Sequence, residues 1–202
     1  MEPEIVFVGR SNVGKSSLIR ALTGLPVRVG RRPGLTRKIR RYPLDGLTIV
    51  DMPGFGFMAG VNSSVQEAVK TQIVRYLERY RKRILFAIEV LDARSFLEIC
   101  ERWEERGQIP VDVEMFFFLR ELHLDPIVAV NKIDIIHRLD RDFLLDAICE
   151  KLSMLPPWRQ WLDVIVPVSA KTGEGLKELR GLILQRLRKR NVEQLISCFR
   201  RF

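Results

Sequence analysis

Lys15 stands at the end of the stretch Gly9-Arg10-Ser11-Asn12-Val13-Gly14-Lys15-Ser16, which has the spacing G-x-x-x-x-G-K-S. Glycines at this spacing let successive backbone N–H groups curl around phosphate oxygens. A helix that opens there adds the positive end of its dipole. The pattern predicts that the Lys15 ammonium reaches the β- and γ-phosphates of a nucleoside triphosphate and that the Ser16 hydroxyl binds magnesium. The phosphate-binding candidates therefore run from Gly9 through Ser17: Gly9, Arg10, Ser11, Asn12, Val13, Gly14, Lys15, Ser16 and Ser17. Further on, Asp51-Met52-Pro53-Gly54 offers a carboxylate to hold magnesium through water and, at Gly54, an N–H to sense the γ-phosphate. Alone, that tetrapeptide is only a turn after a strand; its distance from the phosphate loop gives it meaning.

Two more segments could select a base. In Asn131-Lys132-Ile133-Asp134, the Asp134 carboxylate can accept hydrogen bonds from both N1 and N2 of guanine. Adenine has no such donor pair and would leave the carboxylate buried without a partner, which is a strong source of discrimination. Asn131 would tie this loop to the phosphate loop, and the Lys132 stem would cover one face of the base. Ser169-Ala170-Lys171 is a weaker signal. There the Ala170 N–H is in position to donate to guanine O6, with Lys171 on the ribose side.

These residues need elements to position them. Apolar runs predict strands over 4–8, 47–50, 84–91, 127–130 and 164–166, with a further strand over 39–44 antiparallel beside the second. Helical periodicity predicts helices over 16–23, 65–82, 96–106, 113–123, 140–155 and 176–190. Alternation of this kind implies an α/β fold: three layers, a mostly parallel six-stranded sheet with one antiparallel strand, and helices on both faces. Ligands in such sheets lie beyond the carboxyl ends of the strands. Each of the four segments follows a predicted strand.

The chain has 202 residues, 47% of them hydrophobic, which suits one domain with a real core. It has no run of about 18 apolar residues to cross a membrane and no lipid-attachment pattern at either end. The three cysteines are far apart, as expected in a reducing cytosol. His123 and His137 are too few for a metal site. Lys and Arg number 34 against 25 acids, a net charge of +9, with 25 arginines to 9 lysines. Such a surface favours polyanions, and arginine forks phosphate and RNA well.

With its motifs in this order, the chain resembles the P-loop GTPases, and within them the EngB (YihA/YsxC) family of ribosome-assembly GTPases, in an archaeal-type form. The resemblance runs from Glu4 to Leu187 and rests on the phosphate loop, Pro33-Gly34-Leu35-Thr36, Asp51-Met52-Pro53-Gly54-Phe55-Gly56-Phe57, Val90-Leu91-Asp92-Ala93-Arg94 and Asn131-Lys132-Ile133-Asp134. It implies that Thr36 is a first-switch ligand of magnesium and the γ-phosphate. Ser16, Thr36 and Asp51 would then make the metal site, and Lys15, Thr36 and Gly54 the catalytic set. Around the switch threonine the chain departs from the bacterial pattern, with Leu35 before it and Arg37 after it. A helical insertion is expected near 95–110, within a GTPase domain spanning 1–190 that is followed by a basic extension over 191–202.

Phe55 occupies the place where Ras-type enzymes carry a water-orienting Gln, so slow intrinsic hydrolysis is expected. Asn12 either tolerates a turn or, as in related GTPases, helps hold a potassium ion that plays the part of an arginine finger. Arg28, Arg31, Arg32, Arg37, Lys38, Arg40 and Arg41 follow one another with no acid between them. This charge lies in the first switch, which points to a nucleotide-gated grip on rRNA or a ribosomal subunit. Arg186, Arg188, Lys189, Arg190, Arg200 and Arg201 are a second candidate contact, or else a solvated helix end. The expected protein is a cytoplasmic monomer that hydrolyses GTP. A GTP-gated adaptor with negligible hydrolysis is the alternative.

Overall fold

The structure, a computed structural model, describes residues 2–27, 38–56 and 63–199. The first strand, β1 (Glu4–Val8), is buried along its whole length and leads through the glycine-rich loop into α1 (Lys15–Thr23). An antiparallel pair follows, β2 (Arg40–Leu44) with β3 (Leu47–Asp51). Then come α2 (Ser63–Tyr80), β4 (Ile84–Asp92), α3 (Phe96–Glu104), α4 (Val111–Glu121), β5 (Ile127–Asn131), α5 (Arg141–Lys151), β6 (Ile165–Pro167) and α6 (Leu176–Lys189). The six strands lie in the order β2-β3-β1-β4-β5-β6, and every neighbouring pair except β2 with β3 is parallel. This is the three-layer α/β architecture expected from the alternation of apolar runs.

Strand side chains alternate between the two faces, and each face is covered by its own helices. Ile5, Phe7, Ile49, Phe86, Ile88 and Ile127 pack against Leu18, Ile19 and Leu22 of α1 and Leu179, Ile183 and Leu187 of α6. On the opposite face, Val6, Val8, Val50 and Ala87 meet Val69, Ile73 and Leu77 of α2 and Met115 and Leu119 of α4. Beside them Leu91, Val128 and Val130 meet Phe96 of α3 and Leu145 and Ile148 of α5. After α6 the chain turns back as a 3-10 helix, Glu193–Phe199, whose Leu195 and Phe199 are buried in the cluster that includes α1 and α6.

Several boundaries differ from expectation. The helix predicted over 140–155 ends at Lys151, because Ser153 adopts a left-handed φ of 56°. The Met154 N–H then donates to Cys149 O at 2.8 Å, which closes the helix end as a glycine usually would. Pro110, acting as N-cap, starts α4 two residues earlier than its apolar pattern suggests. Arg186, counted among the surface cations, is only 3% exposed. It lies between Ile183 and Leu187 on the inward side of α6, pairs with Asp125 at 3.1 Å and donates to Asp163 O at 2.8 Å. It is therefore a structural cation and is not available to RNA. No helix among the described residues is long and apolar enough to cross a membrane.

Candidate functional site

The site gathers at the carboxyl ends of β1, β3, β4, β5 and β6, where a parallel sheet leaves its strands open to a ligand. The phosphate loop leaves β1 at Gly9 and enters α1 through Gly14, which has a φ of 94°. A Cβ on Gly14 would lie 2.4 Å from the Asn131 amide nitrogen, so this glycine allows the base-side loop to close against the phosphate loop. Asn12 takes a left-handed φ of 69°, a conformation that asparagine tolerates better than most residues, and is exposed.

Lys15 is 7% exposed, and its ammonium donates to Gly9 O at 2.9 Å and Arg10 O at 3.1 Å. It is thus curled over its own loop, at the centre of the cradle where a phosphate would be gripped. Burial pushes its pKa below the usual lysine range, opposed by the carboxylates of Asp51 and Asp112. Ser16 Oγ donates to Asp51 Oδ2 at 2.7 Å. Asp51 is fully buried, and its Oδ1 has no hydrogen-bond partner among the described residues. Burial raises its pKa, with Lys15, the Ser16 hydrogen bond and Arg40 acting against that shift. A hydroxyl beside a buried carboxylate with one free oxygen is a hard, anionic oxygen donor set, which fits magnesium. Thr36 lies outside the described residues, as do Arg28, Arg31, Arg32, Arg37 and Phe57.

The second-switch segment lies directly on the phosphate loop. Ser11 N–H donates to Phe55 O at 3.2 Å, and a Cβ on Gly54 would be 2.5 Å from Ser11 Oγ. Phe55 itself is 1% exposed and packs among Val6, Val8, Met52 and Ile73, so its ring cannot orient a water molecule. Sequence reasoning missed the reach of Arg10. Its guanidinium lies against Gly56 and is 3.7 Å from Asp112 at the start of α4. Asp112 is 2% exposed, and burial lifts its pKa to about 6 against the pull of Arg10 and Lys15. Glu89 of β4 is fully buried without a hydrogen-bond partner for either oxygen among the described residues, and burial, then Asp112, raises its pKa well above the usual range. A lone acid in the apolar run over 84–91 was the only trace of this cluster in the sequence.

On the base side, Asn131 is 2% exposed and spans three loops. It donates from Nδ2 to Val13 O at 2.8 Å, and its Oδ1 accepts the Ala170 N–H at 3.0 Å. The Ala170 amide, expected to face guanine O6, is therefore already engaged by Asn131. Ser169 is fully buried and accepts the Lys171 and Thr172 N–H groups at 3.3 and 3.1 Å, which shapes the loop; Lys171 is exposed. Lys132 donates to Asn12 O at 2.8 Å and forms an ion pair with Asp92 at the end of β4. Asp134 lies in the 3-10 turn Ile133–Ile135, half-buried, and makes no hydrogen bond among the described residues. The loops that carry the sequence candidates lie at the ends of β1, β3, β5 and β6 and are tied together by the Ser16–Asp51, Asn131–Val13 and Asn131–Ala170 hydrogen bonds, whereas Thr36 lies outside the described residues.

Comparison with known proteins agrees with this fold. The family model described as 50S ribosome-binding GTPase matches residues 4–132. A probable GTP-binding protein EngB from Methanopyrus kandleri is 58% identical over 201 residues, covering 98% of both chains. Its counterpart from Pyrococcus abyssi is 47% identical, covering 92% of this chain and 86% of its own. A crystal structure of a probable GTP-binding protein engB superimposes with a TM-score of 0.82 at 45% identity, over 92% of this chain and 99% of that one. Era from Aquifex aeolicus, bound to GDP and aluminium fluoride, reaches a TM-score of 0.63 at 27% identity, over 92% of this chain and 57% of its own. The chain belongs to the EngB family of GTP-binding proteins, within the ribosome-binding GTPases.

Proposed function

We propose that the protein hydrolyses GTP to GDP and phosphate, and that the nucleotide state gates its grip on rRNA or a ribosomal subunit during assembly. The observation that carries the chemical half is that Lys15, the Ser16–Asp51 pair and the Asn131-Lys132-Ile133-Asp134 loop are joined around the phosphate loop. Lys15 would exchange two loop carbonyls for phosphate oxygens, a stronger, charge-assisted set of partners. Ser16, Asp51 and Thr36 would hold magnesium, which supplies charge neutralisation at the transferring phosphoryl group. The Gly54 N–H would report the γ-phosphate to the second switch, and Asp134 would read N1 and N2 of guanine. Phosphoryl transfer depends chiefly on positioning and charge, so these groups suffice for a slow reaction.

With Phe55 buried, no side chain at that position aligns the attacking water, and turnover waits on an outside contribution. A potassium ion near Asn12 or a contact with a ribosomal subunit would provide it. The partner half rests on the net charge of +9 and on the family description. It is also supported by the similarity to Era, solved with 16S ribosomal RNA, at 26% identity. Of the first-switch cations that are described, Arg41 is paired with Glu4 at 2.7 Å, whereas Lys38 is exposed.

Single-turnover GTP hydrolysis, with and without purified ribosomal subunits and in sodium or potassium buffer, tests the reading. We expect a basal rate raised at least tenfold by one subunit, and a further rise in potassium. Equal rates in all conditions would favour the GTP-gated adaptor, for which the buried Phe55 is the specific argument. Co-sedimentation with subunits that is the same with GDP and a non-hydrolysable GTP analogue would remove the gating.

A further inference from the structure

Asp92 is not among the residues that would contact the nucleotide, yet its carboxylate is fully engaged beside them. Strand pairing sets Asp92 opposite Asn131 at the ends of β4 and β5, and the Ala93 N–H donates to Asn131 O at 2.9 Å. Asp92 Oδ1 accepts the Arg94 N–H at 3.0 Å, which orients the carboxylate, and Oδ2 takes the Lys132 ammonium. Asp92 is 14% exposed and Lys132 37%, so the pair is sheltered on the carboxylate side. The same ammonium donates to Asn12 O at 2.8 Å. Lys132 is thereby clamped between the end of β4 and the phosphate loop.

Asp134 follows Lys132 by two residues and makes no hydrogen bond among the described residues. Without its present partners the long, flexible Lys132 stem would be free to swing toward the Asp134 carboxylate, and charge-assisted bonds are the stronger ones. An ammonium resting on Asp134 would compete with the N1 and N2 donors of guanine. From this arrangement we infer that Asp92 is a positioning residue for base selection, acting as a decoy counter-ion that holds Lys132 away from Asp134. It keeps the purine-reading carboxylate open and the lysine stem extended. The inference rests on the guanine-binding reading of this cleft.

The test compares affinities for GDP and IDP, which differ only in the 2-amino group that Asp134 would read. Equilibrium titrations on the full chain cover the wild type, Asp92→Ala, Lys132→Met and the double variant. Wild-type protein that fails to bind GDP would overturn the site reading itself, before Asp92 is at issue. Given wild-type binding, Asp92→Ala should lower the GDP:IDP preference by roughly 5–10-fold, since an occupied Asp134 loses its partner for the amino group. In the Lys132→Met background the same substitution should change the preference by less than about twofold, because no ammonium is left to misplace. An unchanged preference in Asp92→Ala, or an equal drop in both backgrounds, overturns the inference; the second result marks Asp92 as merely structural. Should Asp92→Ala not fold, Asp92→Asn keeps the shape and an acceptor for Arg94 while removing the charge, and the same cycle is read with it.

Discussion

Asp51 and Asp112 lie on either side of the phosphate loop and meet burial differently. Asp51 keeps one oxygen on Ser16 and one free of hydrogen bonds among the described residues, whereas Asp112 pairs with Arg10 at 3.7 Å and feels the Lys15 charge. The Asp112 pKa of about 6 lies above the value near 4 of an unfolded aspartate. The folded state therefore binds the extra proton between about pH 4 and pH 6, and wild-type stability falls as pH rises through that window. Asp112→Asn should lose this slope and gain on the order of 2 kcal/mol relative to wild type between pH 4 and pH 7, as read by urea unfolding. Lys15→Ala removes the ammonium that rests on the Gly9 and Arg10 carbonyls and should weaken GTP binding by about 100-fold in calorimetry, since charge-assisted phosphate contacts are the strong ones. Asp134→Asn should move preference from guanine toward xanthine nucleotides, because an amide can donate where the carboxylate accepts. Retained guanine selectivity in that variant would remove Asp134 from base reading.

At the scale of elements, the site depends on close approaches between loops. Gly14→Ala would bring a methyl group to 2.4 Å from the Asn131 amide at a φ of 94°, strained for any side chain. It should break the Asn131–Val13 tie and raise the GDP dissociation rate by roughly tenfold, measurable by stopped-flow release. These approaches show which parts of the site were legible in the sequence. The phosphate loop, the Asp51 turn and the Asn131 loop could be read because each is a short local pattern following an apolar run. The Arg10–Asp112 contact joins residues about a hundred positions apart, and nothing in the local pattern of either reveals the other. The end of α5 was misplaced because Ser153 takes a conformation usually given to glycine. Arg186 looked like one more surface cation, although its place between Ile183 and Leu187 set it on the buried stripe of α6.

For the whole molecule, the described cations of the nucleotide site are already engaged, Lys15 by the Gly9 and Arg10 carbonyls and Lys132 by Asp92 and the Asn12 carbonyl, while the chain carries a net charge of +9. The proposed binding to ribosomal RNA should therefore weaken steeply with salt, and GDP binding far less. Filter binding and calorimetry at about 50 and 200 mM salt would check this: RNA affinity should drop by at least 10-fold, while GDP affinity stays within about threefold.

Leu195 and Phe199 complete the cluster behind α1, the helix that begins at Lys15. During synthesis, the first-made part of the nucleotide cleft therefore stands on a foundation delivered almost two hundred residues later. A nascent chain still tethered to its own translating ribosome short of residue 199 carries every loop motif but lacks the wedge that seats α1. On the proposed reading, full nucleotide retention would then wait until this stretch has left the translation machinery.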